Sequence, residues 1–177
     1  SLFSKNSLIN WKNGFLGRPW ASTQGNGVLI NYGTINIDRP EPSEPSFDAP
    51  VIVNIAFNNE GFINFVNGSL ITGPASVLNN QSGGIIDLGE VSHAMGNGLL
   101  CCGVLNNYGV IKKTSGNDNT NINVETNNFG VIDAMSGTIK FLDNYESQFY
   151  NSPEGIIKGT ASIDFSGGDN GNTFVIG

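Results

Sequence analysis

One short phrase recurs six times along this chain: an Asn or Gln, a brief turn, a Gly, and then two aliphatic residues that begin a strand. The residues that open the six copies are Asn31, Asn59, Gln81, Asn107, Asn128 and Asn151. The glycines that close the turns are Gly33, Gly61, Gly84, Gly109, Gly130 and Gly155, which lie 28, 23, 25, 21 and 25 residues apart. Such a period with constant turn chemistry is the signature of a solenoid, in which each coil packs on the next.

The composition fits a chain that turns often. Only 13% of the 177 residues are charged, whereas 24 are Gly and 26 are Asn. Gly and Asn accept the positive φ angles of tight corners, and the β-branched residues between them favour strands. No window of the chain shows the apolar period of a capped helix. We therefore predict an all-β, parallel β-helix (solenoid) with irregular coils of 21–28 residues, with strand exchange between subunits as an option.

The strands within a coil alternate in polarity. Segments such as Ile35-Asn36-Ile37 and Ile163-Asp164-Phe165 place apolar side chains inside and polar ones outside. Coils stacked about 4.8 Å apart in parallel register bring the asparagines of equivalent corners together, so we predict a ladder of amide hydrogen bonds between coils. Tyr32, Tyr108 and Phe129 share one repeat position, which predicts an aromatic stack along the rod.

Two stretches depart from the repeat. Residues 1–30 lack it and are expected to form an N-terminal cap or a strand donated to another subunit, while residues 31–177 form the solenoid body. An insertion at 38–50 carries four of the seven prolines, and it cannot be a central strand because proline lacks the ladder donor. We interpret it as a solvated acidic loop. The alternative is a calcium site formed by its carboxylates, Asp38, Glu41, Glu44 and Asp48.

The segment Asn128-Phe129-Gly130-Val131-Ile132, followed by Gly137-Thr138-Ile139-Lys140-Phe141, resembles the right-handed parallel β-helix repeats of large microbial surface proteins, including adhesins. The resemblance covers roughly residues 28–177. It implies the fold more than the function. Members of this broad group act as adhesins, surface coats and fibres, and related β-helices include polysaccharide lyases and hydrolases.

Charge and composition argue against several partners. The net charge is −7 and the 8 Lys and Arg residues are scattered, which disfavours binding to nucleic acid or to an anionic membrane surface. No apolar stretch approaches the roughly 18–20 residues that span a bilayer, so we expect no membrane insertion. An acidic chain that is rich in Asn and poor in Lys favours an extracellular or cell-surface location.

The cysteines and the histidine give no metal site. Cys101 and Cys102 are adjacent, so a disulfide between them would be strained. We expect one thiol inside and one at the surface; alternatively, the outward cysteine cross-links two subunits in an oxidising compartment. His93, the only histidine, cannot complete a zinc site with two adjacent sulfurs. We therefore predict neither a metal nor a cofactor.

The strongest candidates for catalysis are Asp87, Glu90 and His93, with Lys112 and Lys113 one coil away. If the first three shared a face, acid/base chemistry would be conceivable. The chain offers few coils and no long loops to wall a substrate cleft. We therefore predict that it is not an enzyme, and a polysaccharide lyase or hydrolase is the lesser alternative.

The sequence favours a structural role. The last coil stops abruptly, and a donated N-terminal strand of another copy would seal the resulting edge by β-augmentation. Head-to-tail contacts of this kind give filaments, so we predict a self-assembling fibre or surface-coat subunit whose partners are copies of itself. The residues assigned to assembly are Leu2, Phe3, Leu8, Ile9, Phe174, Val175, Ile176, Cys101 and Cys102. The alternative is an adhesin segment that binds a glycan or a host or matrix protein, with Trp11 and Trp20 as candidate stacking residues.

Overall fold

The computed structural model describes residues 4–17, 27–38, 50–73, 75–90, 93–96, 103–142, 148–166 and 174–176. In this part of the chain every regular element is a strand, and the strands form three parallel sheets of seven strands each. Consecutive strands belong to successive sheets, so the chain passes through sheets 1, 2 and 3 and then starts again one layer further on. The predicted all-β parallel solenoid is confirmed, with three strands to a coil; its right-handed winding stays a prediction.

The strands are numbered in chain order, and each sheet takes every third one. Sheet 1 contains β1 (Leu8–Trp11), β4 (Thr34–Asp38), β7 (Phe62–Asn67), β10 (Ile85–Asp87), β13 (Val110–Lys113), β16 (Val131–Ala134) and β19 (Ile156–Gly159). Sheet 2 contains β2 (Gly14–Gly17), β5 (Pro50–Val53), β8 (Leu70–Thr72), β11 (His93–Gly96), β14 (Asn119–Ile122), β17 (Thr138–Leu142) and β20 (Ser162–Ser166). Sheet 3 contains β3 (Val28–Asn31), β6 (Ala56–Asn59), β9 (Val77–Asn80), β12 (Val104–Asn107), β15 (Glu125–Asn128), β18 (Phe149–Asn151) and β21 (Phe174–Ile176).

Inward rows of side chains build the core between the sheets. The central row of sheet 1 consists of one isoleucine per strand, in register from coil to coil: Ile9, Ile35, Ile63, Ile86, Ile111, Ile132 and Ile157. From sheets 2 and 3, Phe141, Phe149 and Phe165 meet with ring centroids 4.5–5.5 Å apart. In each row, similar apolar side chains of successive coils pack on one another. The alternating apolar residues of the sequence therefore form a continuous apolar core along the rod.

The three corners of the coil differ in length. Between sheets 3 and 1 the described connections are either two residues long, as at 108–109, or four, as at 81–84. Between sheets 2 and 3 the number of residues from one strand to the next ranges from two, at 123–124, to ten, at 18–27, most of which lie outside the described residues. The corner between sheets 3 and 1, which varies least in length, is formed by the recurrent phrase of the sequence. Between sheets 1 and 2 the strands are separated by two residues, at 12–13, to eleven, at 39–49 within the Pro-rich insertion, so the variation in coil length arises mainly at this corner and at the one between sheets 2 and 3.

The glycines of the recurrent turn serve close contact between coils. A Cβ added to Gly109 would lie 2.2 Å from the carbonyl oxygen of Gly84, and one added to Gly130 would lie 2.3 Å from that of Gly109. Positive φ angles are found instead at other glycines, namely Gly14, Gly68, Gly89, Gly116, Gly137 and Gly159. The positive φ angles predicted for glycines at tight corners thus occur at other corners, and the glycines of the recurrent turn serve a different purpose. They let the backbone of one turn pack directly on the turn of the preceding coil.

The N-terminal strands continue the pattern of the body. β1, β2 and β3 join sheets 1, 2 and 3 and pair with β4, β5 and β6 of the same chain. The structure thus extends the three-sheet arrangement back to residue 8, within the segment that the sequence sets apart as 1–30. A role of this segment as a cap or donated strand stays a prediction. Residues 39–49 of the acidic insertion lie outside the described residues, and with them three of the four carboxylates of the proposed calcium site. The fourth, Asp38, ends β4, and its Oδ1 accepts the Nδ2 of Asn67 at 3.0 Å.

Candidate functional site

A continuous ladder of buried asparagines joins six coils at the corner between sheets 3 and 1. In each step the side-chain Nδ2 donates to the Oδ1 of the asparagine in the next coil, and the N···O distances are 2.8, 2.8, 2.8, 2.7 and 2.6 Å. The members are Asn31, Asn59, Asn80, Asn107, Asn128 and Asn151. The predicted amide ladder is confirmed. Its third member is Asn80 and not Gln81, because the third turn is four residues long.

The position of these asparagines explains why the ladder forms. Each is the last described residue of its strand in sheet 3 and points inward at the corner. The second amide hydrogen reaches a backbone carbonyl; Asn107, for example, donates to the carbonyl of Val131 in the next coil at 3.1 Å. At the first rung, the backbone N–H of Gly33 donates to Oδ1 of Asn31 at 3.1 Å. The buried amides are thus held in one orientation by several partners, which fixes the register of each coil on the next.

A second row of amides lies on the outer face of sheet 3. The Nδ2 groups of Asn79, Asn106 and Asn127 each donate to an asparagine of the preceding coil, at 2.9, 2.9 and 3.1 Å. This direction is opposite to that of the buried ladder, so the side-chain dipoles of the two rows oppose each other. Sequence reasoning missed this row. Its signal was the Asn-Asn pair that ends four strands, at 58–59, 79–80, 106–107 and 127–128.

A charged cluster occupies the corner between sheets 1 and 2. Asp87 ends β10 and is 7% exposed. Its two carboxylate oxygens accept the hydroxyl of Thr114 at 3.0 and 2.9 Å, and Oδ1 also accepts the backbone N–H of Gly89 at 3.2 Å. The ammonium of Lys112 lies 3.5 Å from Oδ2. The carboxylate is therefore tied both to its own turn and to the following coil.

Lys113 is the most unusual group of this corner, because its side chain is fully buried. Its Nζ donates to the carbonyl of Gly89 in the preceding coil at 2.7 Å. A Cβ added to Gly137 of the following coil would lie 2.8 Å from Cε of Lys113, so that glycine leaves room for the long side chain. Burial lowers the pKa of Lys113, and the charges of Asp118, Glu90 and Asp87 oppose this shift.

The structure brings together most of the residues that the sequence proposed for acid/base chemistry. Asp87 and Lys112 form an ion pair, and the charge of Glu90 acts on Lys113. The backbone of His93 lies in β11, in register with Asn121 of sheet 2. Within this cluster the carboxylate of Asp87 is occupied by bonds to neighbouring groups, and the amine of Lys113 has no solvent contact. The described contacts therefore hold coils together.

A row of aromatic rings follows the recurrent turn along the edge of the rod. Tyr108 and Phe129 stack with centroids 5.0 Å apart and an interplanar angle of 10°, and Phe129 meets Tyr150 edge-on at 6.2 Å. The predicted aromatic stack is confirmed for Tyr108 and Phe129. Each of these two rings covers one face of the other, so the stack adds a contact between coils while Tyr108 and Phe129 remain 44% and 36% exposed.

Several residues assigned to assembly or glycan binding can be placed. In β1, Leu8 is 65% exposed, whereas Ile9 and Trp11 pack partly against the core. The indole N–H of Trp11 donates to the carbonyl of Asn13 at 2.9 Å. The backbone of β21 (Phe174–Ile176) pairs with β18. The others lie outside the described residues, and all these assignments stay predictions: Leu2, Phe3, Trp20, Cys101 and Cys102.

Comparison with protein-family models, curated proteins and solved structures finds no match to this chain. Among the residues that the structure describes, there is no group of three or more His, Cys, Asp and Glu side chains arranged to hold a metal ion. The same residues contain no helix long and apolar enough to cross a membrane. The geometry of the solenoid itself is therefore the basis on which a function can be inferred.

Proposed function

We propose that this protein is an extracellular or cell-surface structural element, a rigid rod that assembles end to end with copies of itself into a fibre or coat. The observation that supports the proposal is the buried asparagine ladder. Each of its five steps uses the same donor, the same acceptor and nearly the same distance, from 2.6 to 2.8 Å, and the ladder ends before β21, where Ile176 is in register with Asn151. A stack whose successive contacts are identical can be extended by another coil without new chemistry.

The outermost described strands supply the groups for such an extension. In the part of the chain that the structure describes, β1, β2 and β3 at one end and β19, β20 and β21 at the other have a partner on one side only. The backbone N–H of Thr34 donates to the carbonyl of Ser7, so in this parallel pair the N–H of Leu8 points away from β4. Unpaired strand edges bind further strands through these groups.

Leu8 allows a sharp test of end-to-end assembly. Leu8→Pro removes an edge N–H at the first residue of β1, a position where strands tolerate proline, whereas Leu8→Ala removes the same exposed side chain and keeps the N–H. We expect the wild type and Leu8→Ala to form filaments in electron micrographs of a concentration series without reductant, and Leu8→Pro to give short rods. Monodisperse short rods of the wild type at every concentration would refute the proposal.

One observation favours the adhesin alternative. The corner of the asparagine ladder keeps two or four residues between strands, whereas from sheet 2 to sheet 3 the number varies from two to ten. In repeat proteins, insertions of variable length on one edge often carry recognition, because loops can vary while the stack stays constant. A glycan or matrix-protein array probed with the monomeric Leu8→Pro variant would reveal such a ligand. Binding without filament formation by the wild type would favour the adhesin.

A further inference from the structure

The outer face of sheet 1 carries two parallel rows over its last four strands, β10, β13, β16 and β19. The first residue of each strand gives an apolar row, in register from coil to coil: Ile85, Val110, Val131 and Ile156. The third residue of each strand gives a charged row on the same face: Asp87, Lys112, Asp133 and Lys158. We call this surface the striped face. Ile156 is 52% exposed, although it belongs to a strand of the rod wall.

The charged row alternates in sign, and this gives the striped face a particular symmetry. A second copy can be turned by 180° about an axis parallel to the strands, midway between β13 and β16. Lys112 then faces Asp133 of the second copy, and Asp87 faces its Lys158. The same rotation lays the apolar row on the apolar row. Two copies lying side by side in the same direction, with their charged rows opposed and no shift along the rod, would instead bring like charges together, which is repulsive.

We propose that the striped face binds the striped face of a second copy of this chain, with the two rods antiparallel. This lateral contact is distinct from end-to-end assembly and does not depend on it. Within one chain, Lys112 pairs with Asp87 at 3.5 Å and Lys158 with Asp133 at 3.4 Å. The side chains of Lys112, Asp133 and Lys158 remain 28%, 21% and 57% exposed, so they can make a further contact. Asp87 is more shielded, so the central Lys112–Asp133 contacts contribute most.

The size of the striped face sets the expected strength of the contact. Four strands of about four residues cover on the order of 250 Å². A standard interface covers about 800 Å² per partner, so this contact is a weak and rapidly reversible one. Its specificity comes from the order of the charges, since every residue on the face meets a complementary one. In a fibre, many such contacts in a row would act together and bundle the rods.

The order of charges allows a test that separates contacts within the chain from contacts between copies. Asp133→Lys combined with Lys158→Asp keeps opposite charges at 87 and 112 and at 133 and 158, and it keeps the net charge. Between antiparallel copies, however, it places a lysine opposite a lysine at positions 112 and 133, and an aspartate opposite an aspartate at positions 87 and 158. Lys112→Asp combined with Asp133→Lys does the reverse, because it breaks both pairs within the chain and preserves every opposite-charge contact between copies.

Sedimentation equilibrium up to about 1 mM covers the range of a weak dimer; it is best done in the Leu8→Pro background, where end-to-end contacts are blocked. We expect a reversible rise towards twice the 18.7 kDa chain mass, which weakens with added salt. The first double variant should stay monomeric and the second should still dimerise. A molecular mass that stays at the monomer value at every concentration in the parent protein would refute the proposal, and this result is also expected if the face binds another protein. Dimerisation of the first double variant as strong as that of the parent would refute it as well.

A second measurement does not depend on how well the variants fold. In a mixture of ¹⁴N- and ¹⁵N-labelled protein, a zero-length carbodiimide should join Lys112 of one copy to Asp133 of the other and give mixed-isotope cross-linked peptides. Only single-isotope peptides would show that the contact lies within one chain and would overturn the proposal. The two modes of assembly are distinguished by the variants. Leu8→Pro should lose filaments and keep lateral dimers, whereas the first double variant should keep filaments and lose lateral dimers.

Discussion

The buried ladder makes a quantitative prediction about Asn107, which lies in its middle. Asn107→Ala removes the bond accepted from Asn80, at 2.8 Å, and the bond donated to Asn128, at 2.7 Å. It also removes the bond donated to the carbonyl of Val131, at 3.1 Å. Asn107 is fully buried, so water cannot replace these partners without opening the corner.

The expected loss follows from the number of bonds. Three hydrogen bonds at a net value of about 1 kcal/mol each give a loss of about 3 kcal/mol in the free energy of unfolding. The Oδ1 of Asn128 also loses the donor that Asn107 supplies, and an acceptor left dry costs up to about 2 kcal/mol more. We therefore expect Asn107→Ala to destabilise the protein by about 3–5 kcal/mol, which is a large fraction of the stability of an ordinary domain.

The neighbouring residue provides a matched control. Asn106 makes the same kind of contacts, donating to Asn79 at 2.9 Å and accepting from Asn127 at 3.1 Å, but it lies half-buried on the outer face. Water can replace those partners, so Asn106→Ala should cost less than about 1 kcal/mol. Urea unfolding followed by circular dichroism measures both, and the m-value shows whether the stack still unfolds as one unit. Equal losses for the two variants would refute the argument from burial.

Three further predictions concern other parts of the stack. Gly109→Ala should cost about 1–3 kcal/mol or more in urea unfolding, because its Cβ would meet the carbonyl of Gly84, whereas Gly83→Ala has its nearest neighbour at 3.7 Å and should be tolerated. Ile111→Ala should cost about 2–5 kcal/mol by the same assay, because it opens a cavity in the isoleucine row. Burial lowers the pKa of Lys113, so between that lowered pKa and 10.5 the unfolded chain binds more protons and stability should rise with pH. Unfolding of Lys113→Met across this alkaline range should lack the rise.

The recurrent turn could be predicted from the sequence because its chemistry is local. An asparagine, a short turn and a glycine repeat at each coil, and their period was enough to predict stacked coils and an amide ladder. The reason for the glycine could not be predicted, because the atom that excludes a Cβ at Gly109 belongs to Gly84, which lies in another coil. Register between coils decides such contacts, and a single turn does not contain that information.

The exact register was less accessible than the fold. The third turn has four residues instead of two, so Gln81 looked like the repeat asparagine, whereas Asn80 takes the place in the ladder. The charged corner shows the same limit. Proximity of Lys113 to the acidic segment was predictable, but its full burial depends on the lack of a side chain at Gly137 of the following coil, where an added Cβ would lie 2.8 Å from Cε of Lys113. That dependence appears only once the strands are aligned.

The two asparagine rows explain how a chain with few charges can hold a precise stack. Apolar rows such as the isoleucines favour burial, but they would tolerate a slip along the strand, because one aliphatic side chain packs nearly as well as another. An amide inside the corner does not tolerate it, since a shifted rung leaves a buried donor and acceptor without partners. The ladder therefore fixes the register of the six coils that it joins, and the outer rows of amides and alternating charges repeat that register on the surface. At the described ends of the rod the strands keep the same parallel three-sheet arrangement, although Ile176 and not an asparagine is in register with Asn151, so strand edges rather than ladder amides connect the fold to the proposed assembly.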